Sequence, residues 1–164
     1  MKLTRLVPAV AALALLAACT PAPSTVALVG GTPVTAADLQ RSIDGCAELG
    51  ITTQQLPVKQ HVLLLAAGEL VDQAAEARGF EVSDGELKSL AEQNGSADLL
   101  GNEECAKLAY PGVKLTLLGQ AAGQDELIAE LKAIEVDVNP RYGEWDAEAL
   151  GLAGSGSLSL PSAS

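Results

Sequence analysis

The chain has 164 residues, with 10 Lys and Arg against 21 Asp and Glu, a formal net charge of −11 at pH 7, and an aromatic set limited to Phe80, Tyr110, Tyr142 and Trp145. That length suits one domain of ordinary size and is too short for two large ones. The acidic balance argues against a nucleic-acid partner, since phosphate binding needs clustered Lys and Arg; a solvated acidic surface that favours solubility is the simpler reading. With so few aromatics, the core falls to Leu, Val, Ile and Ala, which suits closely packed helices.

Residues 1–18 read as a targeting segment and are set aside from the fold. Lys2 and Arg5 give a positive start, and the apolar run Leu6 to Ala18 is too short to span a bilayer as a helix. The run ends in Leu16-Ala17-Ala18-Cys19, which resembles the lipobox of bacterial lipoproteins. The resemblance implies cleavage after Ala18, diacylglycerol attachment to the Cys19 thiol, and residence at the extracytoplasmic face of the cell membrane. Each buried acyl methylene would contribute ~0.8 kcal/mol to such an anchor. Cleavage removes the positive charges of Lys2 and Arg5, taking the net charge from −11 to −13. Cys19 and a Pro-rich tether then occupy residues 19–25.

An exported chain with two remaining cysteines suggests a disulfide between Cys46 and Cys105, closing a loop of about 60 residues. The alternative is that both are small buried hydrophobes, because Cys46 continues the helical stripe Ala36, Leu39 and Ile43.

Residues 26–146 carry the domain. Val26 to Val29 reads as a strand, Gly30-Gly31 as a tight turn, and Thr32-Pro33-Val34 as a brief return at a sheet edge, since Pro33 cannot donate to a ladder. Thr35-Ala36-Ala37-Asp38 approximates a capping box and opens a helix that ends near Gly50. Ile51 to Leu56 is a loop.

Pro57 to Gly79 is the central helix, free of internal proline and rich in Ala, Leu, Glu and Gln. Leu63, Ala67, Leu70, Ala74 and Ala77 recur at helical spacing and mark the expected buried face. The opposite row begins apolar, with Val58, Val62 and Leu65, and continues with Glu69, Asp72 and Glu76. Pro57 suits a first helical position and Gly79 a left-handed cap.

Phe80 to Val82 is an extended link. Ser83-Asp84-Gly85-Glu86 forms a capping box for a helix with Leu87, Leu90 and Ala91 inward, ended by Asn94-Gly95. Residues 96–110 read as short helical turns carrying Cys105, stopped at Pro111-Gly112. Val113 to Glu135 is a second long apolar-periodic segment, with a break expected around Gly119 or Gly123. Ile134 to Val138 alternates apolar and charged residues, the pattern of a half-buried strand, and is expected to pair antiparallel with Val26 to Val29. Asn139 to Trp145 is expected to leave the sheet, and residues 147–164 read as a flexible tail ending in Gly/Ser-rich sequence.

Three stretches resemble the N-terminal domain family of SurA-type periplasmic chaperones. They are Val26 to Thr35 followed by Asp38-Leu39, the central helix running into Gly79-Phe80-Glu81-Val82-Ser83-Asp84-Gly85-Glu86, and Val138 to Asp146. Gly30 stands where the family carries Asn; both tolerate positive φ. The resemblance implies a mostly α (α+β) fold, with a small antiparallel β element pairing the two ends of a helical domain. It also implies chaperone-like binding of unfolded or exported polypeptides, without the parvulin-type prolyl isomerase domain of the larger family members.

No catalytic constellation is apparent, and no enzyme activity, cofactor or metal is expected. His61 is the sole histidine and lies on the apolar half of the central helix, where a packing role is the expectation. Glu103-Glu104 and Asp125-Glu126 are adjacent pairs whose side chains diverge on a helix. Gly30-Gly31 lacks the pattern and the lysine of a phosphate loop. Val62, Leu65, Leu117 and Leu118 are the candidate lining of a shallow peptide groove. Tyr142 and Trp145 are candidates either for the same role or for plugging an apolar groove. The alternative to a chaperone is a non-catalytic adaptor lipoprotein that docks one folded envelope partner.

Overall fold

The computed structural model describes residues 24–154. Ala18 and Cys19, and with them the expected cleavage and lipidation sites, lie outside the described residues. The architecture is mostly helical with small antiparallel sheets.

Strands β1 (Thr25–Val29) and β2 (Thr32–Thr35) form the opening hairpin. Gly30 and Gly31 sit at φ 54° and 87°, the successive positive values that a tight hairpin turn demands and that glycine supplies without strain. Pro33 faces Leu28 in this ladder. Strand β3 (Val136–Val138) pairs antiparallel with the other side of β1, with Val29 opposite Val136 and Ala27 opposite Val138. The sheet order is β2-β1-β3, so β1 is central and the two ends of the domain meet across it.

Helix α1 (Ala36–Glu48) starts on the expected box: the Asp38 N–H donates to Thr35 Oγ1 at 3.2 Å, and the Thr35 N–H donates to Asp38 Oδ2 at 2.8 Å. Helix α2 (Val58–Ala77) follows. Its end is a Schellman arrangement in which the Phe80 N–H bonds the Ala75 carbonyl at 2.8 Å and the Gly79 N–H bonds that of Glu76 at 3.0 Å, with Gly79 at φ 60°. Helix α3 (Asp84–Gln93) is capped by Ser83, and a single 3-10 turn (Ala97–Leu99) and the short helix α4 (Glu103–Ala106) lead on.

Helix α5 (Tyr110–Ala122) contains Pro111 rather than ending at it. In the first turn of a helix an N–H has no intrahelical acceptor, so proline costs nothing there. The break comes at Gly123, whose φ of 87° ends α5 and opens α6 (Gln124–Ala133).

The main core joins the sheet to α2, α5 and α6 through Val26, Val29, Val62, Ala66, Leu70, Leu118, Leu127 and Leu131. A second cluster packs Leu87 and Ala91 of α3 against Val113 of α5. The third surrounds a Cys46–Cys105 disulfide, which ties α1 to α4 with a Cα–Cα distance of 4.8 Å, inside the span a bridge allows.

Two expectations need correction. The buried face of α2 is His61, Val62, Ala66, Leu70, Val71 and Ala74, whereas Leu63 and Ala67 are only half-buried and Ala77 is exposed. The helix is apolar nearly all round in its first half, so spacing alone does not choose a face; contacts with α1, α5, α6 and the sheet do. Nor does the chain become an unstructured tail at residue 147. Strands β4 (Glu144–Asp146) and β5 (Gly151–Ala153) form a separate hairpin with Trp145 opposite Leu152. Its turn is held by Asp146 Oδ1, which accepts from the N–H groups of Glu148 and Ala149 at 2.9 and 3.0 Å.

Candidate functional site

Helices α2 and α5 approach closely where Gly68 meets Pro111; a Cβ on Gly68 would lie 3.4 Å from Pro111 Cγ. Gly68 and Pro111 also border a cleft of about 290 Å³ between the two helices. Val34, Leu64, Leu65, Tyr110 and Pro111 give it an apolar lining. Glu69, Asp72, Lys107 and Lys114 stand around the lining. Both lysines are ion-paired, Lys114 with Asp72 at 2.5 Å and Lys107 with Glu104 at 2.8 Å, while Glu69 accepts from the neutral Gln73 Nε2 at 2.8 Å. Asp72 and Lys114 also line a neighbouring hollow of about 460 Å³ that runs to Phe80 and Val82. The ion-paired Asp72 and Lys114 thus border both hollows, which lie along α2.

The residues nominated from sequence separate in the structure. Leu65 lines the groove. Val62 is 0% exposed and Leu118 1%, so neither can touch a ligand; both are core residues. Leu117 packs half-buried in the α3–α5 cluster. Tyr142 and Trp145 are half-buried against the main core, and Trp145 also borders a separate cleft beside β3. The error at Val62 and Leu118 follows from treating an apolar stripe beside a polar one as exposed, when a neighbouring helix or sheet covers it. Leu64, Tyr110 and Pro111 were missed as lining. A small residue within an apolar helix, here Gly68, was the available signal for a close helix crossing with a groove beside it.

His61 is 1% exposed, and its Nδ1 lies 3.0 Å from Ser42 Oγ, itself buried and 2.9 Å from the Leu39 carbonyl. Burial pushes the imidazole below its ordinary pKa, against a smaller upward pull from a hydrogen bond to the Leu56 backbone. The pair fastens α1 to α2. Asp38 is raised by burial, but the Thr35 hydroxyl and N–H and the charges of Arg41 and Lys107 outweigh that and leave it below its usual value.

Among the described residues no group of three or more His, Cys, Asp or Glu is arranged to hold a metal ion, and no helix is long and apolar enough to cross a membrane. Leu115 and Ile128 are exposed on the outer side of α5 and α6, beside a depression of about 310 Å³ that Leu127, Leu131 and Leu150 also line.

No protein-family model, no curated protein and no solved structure matches the chain.

Proposed function

We propose that this protein is a lipid-anchored module at the extracytoplasmic face of the cell membrane that binds unfolded or extended polypeptide without catalysing a reaction on it. The observation that carries the reading is the groove between α2 and α5. Its apolar lining of Leu64, Leu65, Tyr110 and Pro111 offers contact area to hydrophobic side chains of a client. The Leu-Ala-Ala-Cys ending at Cys19 supports the anchor, and the motif resemblance to SurA-type chaperone domains supports the client class.

The test is suppression of aggregation of an unfolded client by the purified protein. Slowed aggregation at a few-fold molar excess, lost in a Leu64→Gln, Tyr110→Ser variant that stays folded, is the expected result. Failure to slow any of several clients removes the proposal.

A second reading, an adaptor that docks one folded envelope partner, is favoured by exposed Leu115 and Ile128 beside their own depression. It predicts one sharp partner on crosslinking from Ile128, where the chaperone reading predicts many partners from Leu64.

A further inference from the structure

Strand β3 is the outer strand of its sheet, with β4 packed beside it. The Gly30 N–H bonds the Glu135 carbonyl at 2.8 Å, and the Asn139 N–H bonds the Val26 carbonyl at 2.9 Å. With Leu28 opposite Asp137, positions 135, 137 and 139 therefore turn their backbone groups toward β1. The alternate residues Val136 and Val138 turn their N–H and C=O groups outward. Among the described residues no strand pairs with that side, because the β4–β5 hairpin forms its own sheet. Beside this edge lies a cleft of about 430 Å³ bordered by Val136, Val138, Pro140 and Trp145, and by the carboxylates of Asp137 and Glu144. No Lys or Arg lines it. Neither carboxylate enters an ion pair among the described residues, in contrast to Asp72 at the α2–α5 groove.

We propose that this edge is a second binding site, which takes a cationic, extended polypeptide segment as an added strand. Val136 supplies an outward donor and acceptor, and Val138, 5% exposed beside β4, supplies a second set at the two-residue repeat that an incoming strand matches. Asp137 and Glu144 select Lys or Arg side chains on the incoming segment. Trp145 receives their aliphatic stems and, over its face, their charge. Charge decides against the other occupants. A second copy of the chain would bring the same two carboxylates to the same edge, and residues 155–164 contain no Lys or Arg. The site is separate from the α2–α5 groove and does not depend on it.

Trp145 is the only tryptophan, so its fluorescence reports this cleft directly. The full chain is titrated with a blocked seven-residue peptide alternating Lys with Val or Thr, and with a control in which Glu replaces Lys. The expected result is a saturable change in Trp145 emission with the Lys peptide, about tenfold weaker affinity for the Glu peptide, and weakening with added salt. A Val136→Pro variant removes an outward donor while leaving the β1 ladder intact, and a D137N/E144Q variant removes the charges; each should weaken binding about tenfold. Should the proline variant lose its fold, the charge variant carries the test. Leu64→Gln should bind the peptide as the wild type does, which separates this site from the groove. Equal affinity for both peptides, no emission change or heat at millimolar peptide, unaltered binding in the charge variant, or a Trp145 signal that tracks protein self-association would each overturn the proposal.

Discussion

Removing the Cys46–Cys105 bridge should cost this domain a large part of its stability. The bond spans 59 positions of sequence. In the chain-entropy treatment, closing a loop of that length in the unfolded chain corresponds to about 4 kcal/mol. Total stabilities of single domains are about 5–15 kcal/mol, so a loss of this size takes a marginal domain close to unfolding. Both cysteines are 0% exposed, and Leu49, Ile51, Leu56, Leu64, Leu99 and Leu108 pack around them. A Cys46→Ala, Cys105→Ala variant keeps most of that packing, and the loss should therefore reflect the cross-link. Urea denaturation of the two forms is the assay. The midpoint should fall, and the slope m should rise, because the uncross-linked unfolded chain exposes more surface. In a thermal scan the loss corresponds to roughly 12–20 °C for a domain of this size. A stability change under about 1 kcal/mol, with m unaltered, would refute the reasoning by showing that the cross-link does not restrict the unfolded ensemble.

Three further outcomes follow from particular residues. Burial lowers the His61 pKa below 6.5, so the protonated form is disfavoured in the folded state. Its contribution is fully present above that value and declines as pH falls below it, so Tm should drop between about pH 7 and 5.5, and a His61→Gln variant should flatten that segment of the profile. Asp38, held below 3.8, contributes stability that is present above that value and lost as pH falls through its lower folded pKa. Thr35→Ala, which removes the hydroxyl cap of α1, should cost about 1 kcal/mol by urea denaturation at neutral pH and reduce that acid dependence. Leu127, 2% exposed in the main core, should cost about 2–5 kcal/mol on truncation to Ala, whereas its neighbour Ile128, 42% exposed, should change stability by under about 0.5 kcal/mol. Equal effects at the two positions in the same assay would contradict the placement of α6.

Much of this fold was legible because local chemistry and global packing agree. Gly30-Gly31 between two short strands, the Thr35 and Ser83 caps, Gly79 after the central helix, and the alternation from Ile134 to Val138 each led to the element that is present. What could not be read was the choice among apolar surfaces. Val62 and Leu65 stand three positions apart on α2, yet one is sealed in the core and the other lines a groove, because α5 crosses at Gly68 rather than farther along. Periodicity describes a helix and does not contain its neighbours. The β4–β5 hairpin was missed for a related reason. Its strands are three residues each, and its turn depends on Asp146 and on Leu150 at φ 48°, a conformation that composition does not advertise.

The most direct test of the central claim places a photo-reactive residue at Leu64, in the groove, and separately at Ile128, on the outer face of α6, in living cells. The account predicts a heterogeneous ladder of exported polypeptides crosslinked from Leu64 and little from Ile128. A single sharp adduct from Ile128, with none from Leu64, would contradict it and make the protein an adaptor.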